Sequence, residues 1–198
     1  WEGRASNFLK LIERLFKKKY SLYAFDAPSH GLSERSKNTM SDFNQFLLLF
    51  IKKVNPDVII THSFGAVPTT FSLNINKKQS IEKLILFAPP NKFSDRVDDI
   101  IKVTGACKKI KKHLIKKIEN EYGIPFENLN ISEFINKTNV DKTLILHDEN
   151  DKICSLNYAK EIHRTLPNSK LEILKNTGHF KILSNNIAIK KVVNFIDS

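Results

Sequence analysis

Three apolar runs, each followed by polar or turn-forming residues, constrain the fold of this chain most. They are VIIT at 58–61, KLILF at 83–87 and KTLILH at 142–147. Segments with apolar residues at helical spacing separate them. Strands that are apolar on both faces belong to a parallel sheet that helices cover on both sides. The sequence therefore predicts the α/β class: a mostly parallel sheet with helices on both faces.

Weaker patterns complete the alternation of strands and helices. Two further strands are predicted, Tyr20–Phe25 and LEIL at 171–174. Helical spacing of apolar residues predicts helices over 6–19, 41–54, 64–73 and 187–196. The segment 93–139 breaks this rhythm, because it is helical throughout and contains no predicted strand. We interpret residues 1–92 and 140–198 as the core and residues 93–139 as a helical cap or lid inserted into it.

Composition excludes several classes of protein. A chain of 198 residues fits one domain. The formal charge of +11 comes from 27 Lys against only 5 Arg, whereas nucleic-acid readers favour Arg, so we expect no nucleic-acid partner. The longest apolar run, Phe46–Ile51, is far shorter than the ~20 residues of a membrane span. Two widely spaced cysteines, Cys107 and Cys154, suit a reducing compartment, so we expect a cytoplasmic protein without structural disulfides.

The stretch VIITHSFGA at 58–66 raises a chemical question, because a buried strand ends here on a hydroxyl. A tight turn from a parallel strand into a helix would push the side chain of Ser63 into the crevice at the carboxyl end of the sheet. The small residues Gly65 and Ala66 would let strand and helix approach. The amino end of that helix would also favour an anion beside the hydroxyl. By its position, the main-chain amide of Phe64 could donate one hydrogen bond to such an anion.

Four motifs together resemble the α/β-hydrolase superfamily, in particular its small bacterial serine hydrolases: THSFGA, FDAPSHGLS, HDENDKI and TGHF. The resemblance covers essentially the whole chain, although Thr61 departs from the G-x-S-x-G pattern of the family. It implies a nucleophile at Ser63, a base at His179 and an orienting carboxylate at Asp151. A serine hydroxyl needs such an imidazole to take its proton and a carboxylate to fix the imidazole. It also implies a second oxyanion donor at Trp1.

Other residues could fill these roles. Asp148 lies nearer the strand end than Asp151, but HDENDKI aligns best with the H-G-x-x-D pattern of the family at Asp151. We expect the side chain of His62 to point away along its strand and His147 to be structural. Asp26 and His30 fit a hydrogen-bonded loop scaffold.

The resemblance also carries an expectation about the sheet. In the superfamily, a strand preceding the position of Trp1 lies between the strands that correspond to SLYAFD and DVIITHS. We therefore expect the natural protein to have further strands upstream of Trp1.

The predicted function is hydrolysis of a carboxylic ester or thioester through an acyl-enzyme, with no metal and no organic cofactor. Pro89 and Phe93 would line the substrate pocket at the start of the cap. Two other functions stay open: a binding protein that keeps the fold without turnover, and an acyltransferase. The basic cap helix at 107–124 either covers the cleft with its apolar side or makes a weak contact with an anionic membrane surface.

Overall fold

The core of the protein is a four-stranded parallel sheet. A computed structural model of the chain describes residues 3–34 and 40–198. Its strands follow one another in the order β1-β2-β3-β4, and all three neighbouring pairs are parallel. The strand bounds are β1 Val58–His62, β2 Ser80–Phe87, β3 Asn139–Asp148 and β4 Ser169–Leu174. The α/β class with a parallel sheet flanked by helices is thereby confirmed.

Helices cover both faces of this sheet. Their bounds are α1 Leu9–Phe16, α2 Met40–Val54, α3 Ala66–Ile75, α4 Phe93–Thr104, α5 Lys108–Tyr122, α6 Ile131–Ile135, α7 Leu156–Thr165, α8 Gly178–Lys181 and α9 Asn186–Asp197. Short 3₁₀ turns span Ala5–Phe8, Ser63–Gly65, Phe126–Asn128 and Ile182–Ser184.

Alternate residues of the central strand β2 enter two different cores, as the pleat of a strand requires. Leu84 and Leu86 belong to the cluster that contains side chains of α3 to α7, whereas Ile85 and Phe87 belong to the cluster formed with α1 and α9. All four side chains are fully buried. Burial on both faces explains why this strand reads as a continuous apolar run rather than an alternating one.

The helices α4 to α6 lie between β2 and β3 in the chain and share the core of the sheet domain. Val97, Ile118 and Phe126 pack in the same cluster as Phe71 of α3 and Leu84 of β2. Ring contacts reinforce this packing, with Phe71 and Tyr122 centroids 4.5 Å apart. This segment is thus joined to the body of the protein by buried apolar contacts. Its action as a lid stays a prediction.

The strand predicted over Tyr20–Phe25 is wrong: residues 20–26 have no regular secondary structure. Within residues 3–34 and 40–198, β1 pairs with β2 alone, so this segment has no ladder with β1. A cavity of about 1920 Å³ has Leu22 and Phe25 on its lining together with Val58 and Ile60 of β1. Apolar packing holds the segment instead, since the ring centroid of Phe25 lies 4.8 Å from those of both Phe46 and Phe50 of α2.

Across the described parts of the chain, every helix is too short or too polar to serve as a membrane span.

Candidate active site

A sharp turn at the end of β1 carries the predicted nucleophile. His62 still has extended backbone, with φ −130°, whereas Ser63 has a left-handed φ of 51°. A 3₁₀ turn over Ser63–Gly65 then leads directly into α3. Left-handed backbone is unfavourable for a residue with a Cβ atom, so the surrounding structure holds Ser63 in this conformation.

Two small residues follow Ser63 in this turn. Ala66 is fully buried, and this burial explains why a small side chain stands there. Gly65 is different: a Cβ atom added there would meet no described atom within 4 Å, so the described structure does not require a glycine at that position. The Thr61 side chain is buried, and its hydroxyl has no hydrogen-bond partner among the described residues. The turn therefore accommodates the threonine, which departs from the family pattern.

Three predicted site residues form one hydrogen-bonded chain. The Oγ atom of Ser63 lies 2.8 Å from Nε2 of His179, and Nδ1 of His179 lies 2.7 Å from Oδ2 of Asp151. His179 is only 6 % exposed, and the side chain of Asp151 is fully buried. A carboxylate oxygen only accepts hydrogen bonds, so Nδ1 carries the proton and Nε2 is left to accept the hydroxyl proton of Ser63.

The loop after β3 holds Asp151 in its ionised form. Its Oδ1 atom accepts hydrogen bonds from the main-chain nitrogens of Ile153, at 2.8 Å, and Cys154, at 3.0 Å. Burial by itself would raise the pKa of this carboxyl group, but the hydrogen bonds from His179, Cys154 and Ile153 outweigh burial and lower the pKa. A carboxylate whose ionised form these hydrogen bonds favour therefore faces the imidazole.

Asp148, the alternative carboxylate, has other partners. Its Oδ2 atom accepts from the main-chain nitrogen of Thr177 at 2.6 Å and from the Thr177 hydroxyl at 2.8 Å. Its Oδ1 atom accepts from the main-chain nitrogen of Asn150 at 2.9 Å. Asp148 thus ties the loop that carries His179 to the end of β3, one turn before Asp151.

The expectation that the side chain of His62 points away from the site is wrong. Its Nε2 atom lies 2.8 Å from the main-chain oxygen of His179, and the two imidazole centroids are 4.8 Å apart. The alternation along β1 explains this, because His62 shares a face with Ile60, which packs against the cluster containing Ile182 and Leu183. Period-two spacing from Ile60 could have indicated this face from the sequence.

His147, Asp26 and His30 make hydrogen bonds with the main chain of nearby loops. His147 is completely buried, and its Nε2 atom lies 2.9 Å from the main-chain oxygen of Cys154. The carboxylate of Asp26 accepts hydrogen bonds from the main-chain nitrogens of Ala5, at 2.7 Å, and Leu32, at 2.8 Å, as a loop scaffold would. The Nδ1 atom of His30 lies 2.9 Å from the main-chain oxygen of Pro28.

Ser63 and His179 open onto the cavity described above. Its lining includes a set of apolar side chains from the β2 exit loop, α4 and α5: Pro90, Phe93, Val97, Ile100, Leu114 and Ile118. Lys117 and Glu121 of α5 line it as well. The prediction that Pro89 lines the pocket is wrong: both prolines are buried, and Pro90 rather than Pro89 is among the lining residues that the structure describes. Phe64 is on the lining, 6.0 Å from Phe93 between ring centroids, whereas Trp1 lies outside the described residues.

A strand-turn-helix with a serine at the turn, and a hydrogen-bonded histidine and aspartate on later strand-exit loops, define an α/β hydrolase. Residues 3–132, more than half of the chain, match the family model described as "Serine aminopeptidase, S33", and residues 112–197 match the model described as "TAP-like protein". The chain belongs to the first of these families, within the α/β-hydrolase superfamily.

Similar proteins agree with this assignment. The uncharacterized hydrolase YugF of Bacillus subtilis (strain 168) is 24% identical over 232 residues, covering 93% of this chain and 84% of that protein. A bromoperoxidase from Bacillus anthracis shares the fold with a TM-score of 0.74 and 14% identity, over 100% of this chain and 89% of that one. An esterase from Exiguobacterium antarcticum has a TM-score of 0.72 and 17% identity, over 100% of this chain and 89% of that one.

Proposed function

We propose that this protein is a serine hydrolase that cleaves a carboxylic ester or thioester through an acyl-enzyme intermediate. The observation that carries the proposal is the continuous chain of hydrogen bonds from Ser63 Oγ through His179 to Asp151, at 2.8 and 2.7 Å. It supports proton transfer from the hydroxyl to an imidazole that a charged carboxylate orients.

The reaction has two halves. In the first, Ser63 Oγ bonds to the carbonyl carbon while its proton passes to His179 Nε2, and Asp151 stabilises the imidazolium. When the tetrahedral intermediate collapses, the bond to the leaving alcohol or thiol breaks, and His179 donates its proton to that group. In the second half, His179 takes a proton from water, whose oxygen attacks the acyl-serine, and Ser63 regains its proton as the carboxylic acid leaves.

The oxyanion of each tetrahedral intermediate needs preorganised donors. We assign the main-chain amide of Phe64 to this role because it directly follows the nucleophile in the turn before α3. Trp1 remains the proposed second donor from the family pattern. The proposed steps use only the side chains and main-chain amides named above.

The substrate that suits this site has an apolar acyl group. Phe64, which follows Ser63, lines the cavity with its ring centroid 6.0 Å from that of Phe93. Val97, Leu114 and Ile118 line the same cavity. Burial of an alkyl chain against these side chains would contribute roughly 0.8 kcal/mol per methylene group. We propose that residues 93–139 act as a cap that sets the length of the acyl group.

Two experiments test the function. We expect p-nitrophenyl butyrate to give a burst of p-nitrophenol followed by slow turnover, and we expect a fluorophosphonate probe to label the protein. Ser63→Ala should abolish both signals, whereas Ser80→Ala, at an exposed serine at the opposite end of the sheet, should leave both unchanged. Labelling that survives Ser63→Ala would contradict the proposal. Absence of labelling in a folded wild-type protein would favour the binding-protein alternative.

Transfer of the acyl group to an alcohol is a related outcome, because the same residues would catalyse it. Product analysis with added glycerol separates the two reactions: we expect butyrate, and a predominant butyryl ester would indicate an acyltransferase.

We also propose that α5 makes a weak contact with anionic membrane surfaces. The contact surface consists of exposed lysines of α5 and the apolar side chains Val103, 86% exposed, and Ile110, 55% exposed. We expect salt-sensitive sedimentation with phosphatidylserine vesicles that Lys108→Glu with Lys109→Glu abolishes. Sedimentation that the double variant retains would contradict this contact.

A cytoplasmic location remains part of the proposal. Neither cysteine forms a disulfide within the described residues, and Cys107 is exposed, which suits a reducing compartment. Fractionation of cells that produce the protein tests this directly, and recovery in a secreted or membrane fraction would contradict it.

A further inference from the structure

His62 links the proposed nucleophile to the backbone of the proposed base. It is the last residue of β1 and directly precedes Ser63. Its Nε2 atom lies 2.8 Å from the main-chain oxygen of His179, while the neighbouring Ser63 Oγ lies 2.8 Å from His179 Nε2. Two consecutive residues therefore contact His179: His62 contacts its main-chain oxygen, and Ser63 contacts its imidazole.

The hydrogen bond fixes the protonation state of His62. A carbonyl oxygen only accepts, so Nε2 of His62 carries the proton and donates it. Burial lowers the pKa of His62 to about 4, so the ring is neutral at pH 7. This matters because the two imidazole centroids are 4.8 Å apart. A neutral His62 adds no positive charge that would oppose protonation of His179 during the reaction.

The segment that carries His179, the turn into α8, is anchored on both sides of Gly178. Gly178 has a left-handed φ of 61°, which marks a sharp turn. Before it, Asp148 holds the main-chain nitrogen of Thr177 at 2.6 Å. After it, His62 holds the main-chain oxygen of His179. Loss of the second anchor would let the imidazole shift relative to Ser63 while the first anchor and the sheet stay in place.

We propose that His62 is a positioning residue, whose Nε2–H holds the backbone of His179 so that the imidazole stays in line with the Ser63 hydroxyl. This inference rests on the proposed function, and it assigns to His62 a role in the reaction that is separate from the three-residue chain itself. Misplacement of a reacting group by about 1 Å costs rates of the order of 10²-fold, so a residue of this kind acts on kcat rather than on substrate binding.

Three variants test the proposal by steady-state kinetics with p-nitrophenyl butyrate. His62→Leu removes the donor and should lower kcat by about 10- to 100-fold with KM changed by less than about twofold. His62→Gln keeps an N–H donor and should recover a large part of the loss. His163→Leu is the matched control, because His163 also makes a hydrogen bond, to Ser169 Oγ at 2.7 Å, but at the opposite end of β4. It should keep wild-type kcat.

Nuclear magnetic resonance provides a readout that does not depend on a variant's folding. In the wild-type protein at pH 6 to 8, the ring nitrogen shifts of His62 should report the neutral Nε2–H form. The protonated form, or an Nδ1–H form, would overturn the proposal. So would a folded His62→Leu protein with wild-type kcat, or a His62→Gln protein no more active than His62→Leu.

These outcomes are distinguishable from failure of the proposed function. Full activity of Ser63→Ala would refute the serine mechanism itself. Inactive Ser63→Ala together with fully active His62→Leu would refute only the positioning role.

Discussion

Oδ2 of Asp148 and the main-chain nitrogen of Thr177 lie 2.6 Å apart, while three residues further along the chain Asp151 Oδ2 lies 2.7 Å from His179 Nδ1. Two carboxylates, one at the end of β3 and one in the loop after it, thus contact neighbouring residues at the start of α8. Asp148 holds the backbone there, and Asp151 orients the imidazole of His179. The same residue type therefore serves stability in one position and, under the proposed function, proton transfer in the other.

The Asp151→Asn variant should test whether the carboxylate of Asp151 orients the imidazole of His179 for catalysis. The amide is nearly isosteric but no longer provides a charge or a pure acceptor for His179 Nδ1–H, so we expect kcat to fall by about 10³- to 10⁴-fold. The melting temperature should also fall, because the lowered pKa of Asp151 means that its ionised form stabilises the fold, but the variant should stay folded at the assay temperature. Esterase kinetics and thermal unfolding measure the two effects. Glu149→Gln, at an exposed neighbouring carboxylate, is the control and should keep wild-type kcat. Less than a tenfold fall in Asp151→Asn would contradict its assigned role.

Asp148 should make stability depend on acid pH. Burial of Asp148 alone would raise its pKa, but the hydrogen bonds from Thr177 and Asn150 outweigh burial and lower the pKa below its ordinary value. Its contribution is therefore complete above the unfolded-state pKa of about 3.9 and is lost as pH falls through the folded-state pKa. Asp148→Asn should have a lower free energy of unfolding than wild type at pH 7.

Urea unfolding of Asp148→Asn and wild type at pH 7 and pH 2.5 measures that effect. The difference between the two proteins should shrink at the lower pH, because pH 2.5 lies below the unfolded-state pKa and protonation of the unfolded chain then removes part of the contribution. A difference that stays constant between the two pH values would show that the ionised form of Asp148 contributes nothing to stability.

The backbone of Ser63 should lower the stability of the protein. With φ of 51°, this residue occupies a region that glycine enters without the penalty imposed by a Cβ atom. Ser63→Gly should therefore be more stable than Ser63→Ala by about 1 kcal/mol, although both variants lack the nucleophile and both should be inactive. Denaturant unfolding of the two variants compares them directly. Equal stability would indicate that the turn relaxes when the hydroxyl is removed.

The apolar wall of the cavity should control the length of the acyl group. Leu114 lies on that wall, whereas Ile110 of the same helix is 55% exposed and is not among the lining residues that the structure describes. Leu114→Trp should reduce kcat/KM for p-nitrophenyl octanoate at least about tenfold more than for the acetate, since added bulk removes space for the longer chain. Ile110→Trp is the matched control. Equal loss on both esters would contradict an acyl site there.

Sequence patterns predicted the sheet well because its strands are buried on both faces. β2 and β3 read as continuous apolar runs, and their burial in the structure explains that pattern. The order of Ser63, Asp151 and His179 along the chain matched strand exits of a known superfamily, so their meeting at one edge of the sheet could be expected. The bounds of β2 and β3 extend further toward the amino end than predicted, over polar residues such as Ser80 and Asn139, which pair in the ladder.

The errors arise where a neighbour decides the outcome. Tyr20–Phe25 has the composition of a strand, but a strand forms only when another backbone satisfies its hydrogen bonds, and this segment is held by aromatic packing against α2 instead. His62 was misplaced because its direction depends on which loop covers its face of the sheet. Period-two spacing from Ile60 indicates the face itself, whereas the position of His179 over that face cannot be predicted from residues 58–66.

The shared core of α4, α5 and the sheet has a consequence for how new substrate preferences could arise in this protein. Phe93 faces the cavity, yet it also packs with Tyr122 and Phe126, which contact the same interior as Leu84. A substitution that reshapes the wall therefore also disturbs the interior that keeps the domain folded. Variants selected for bulkier substrates should lose heat resistance first, and compensating changes elsewhere in that interior should accompany them.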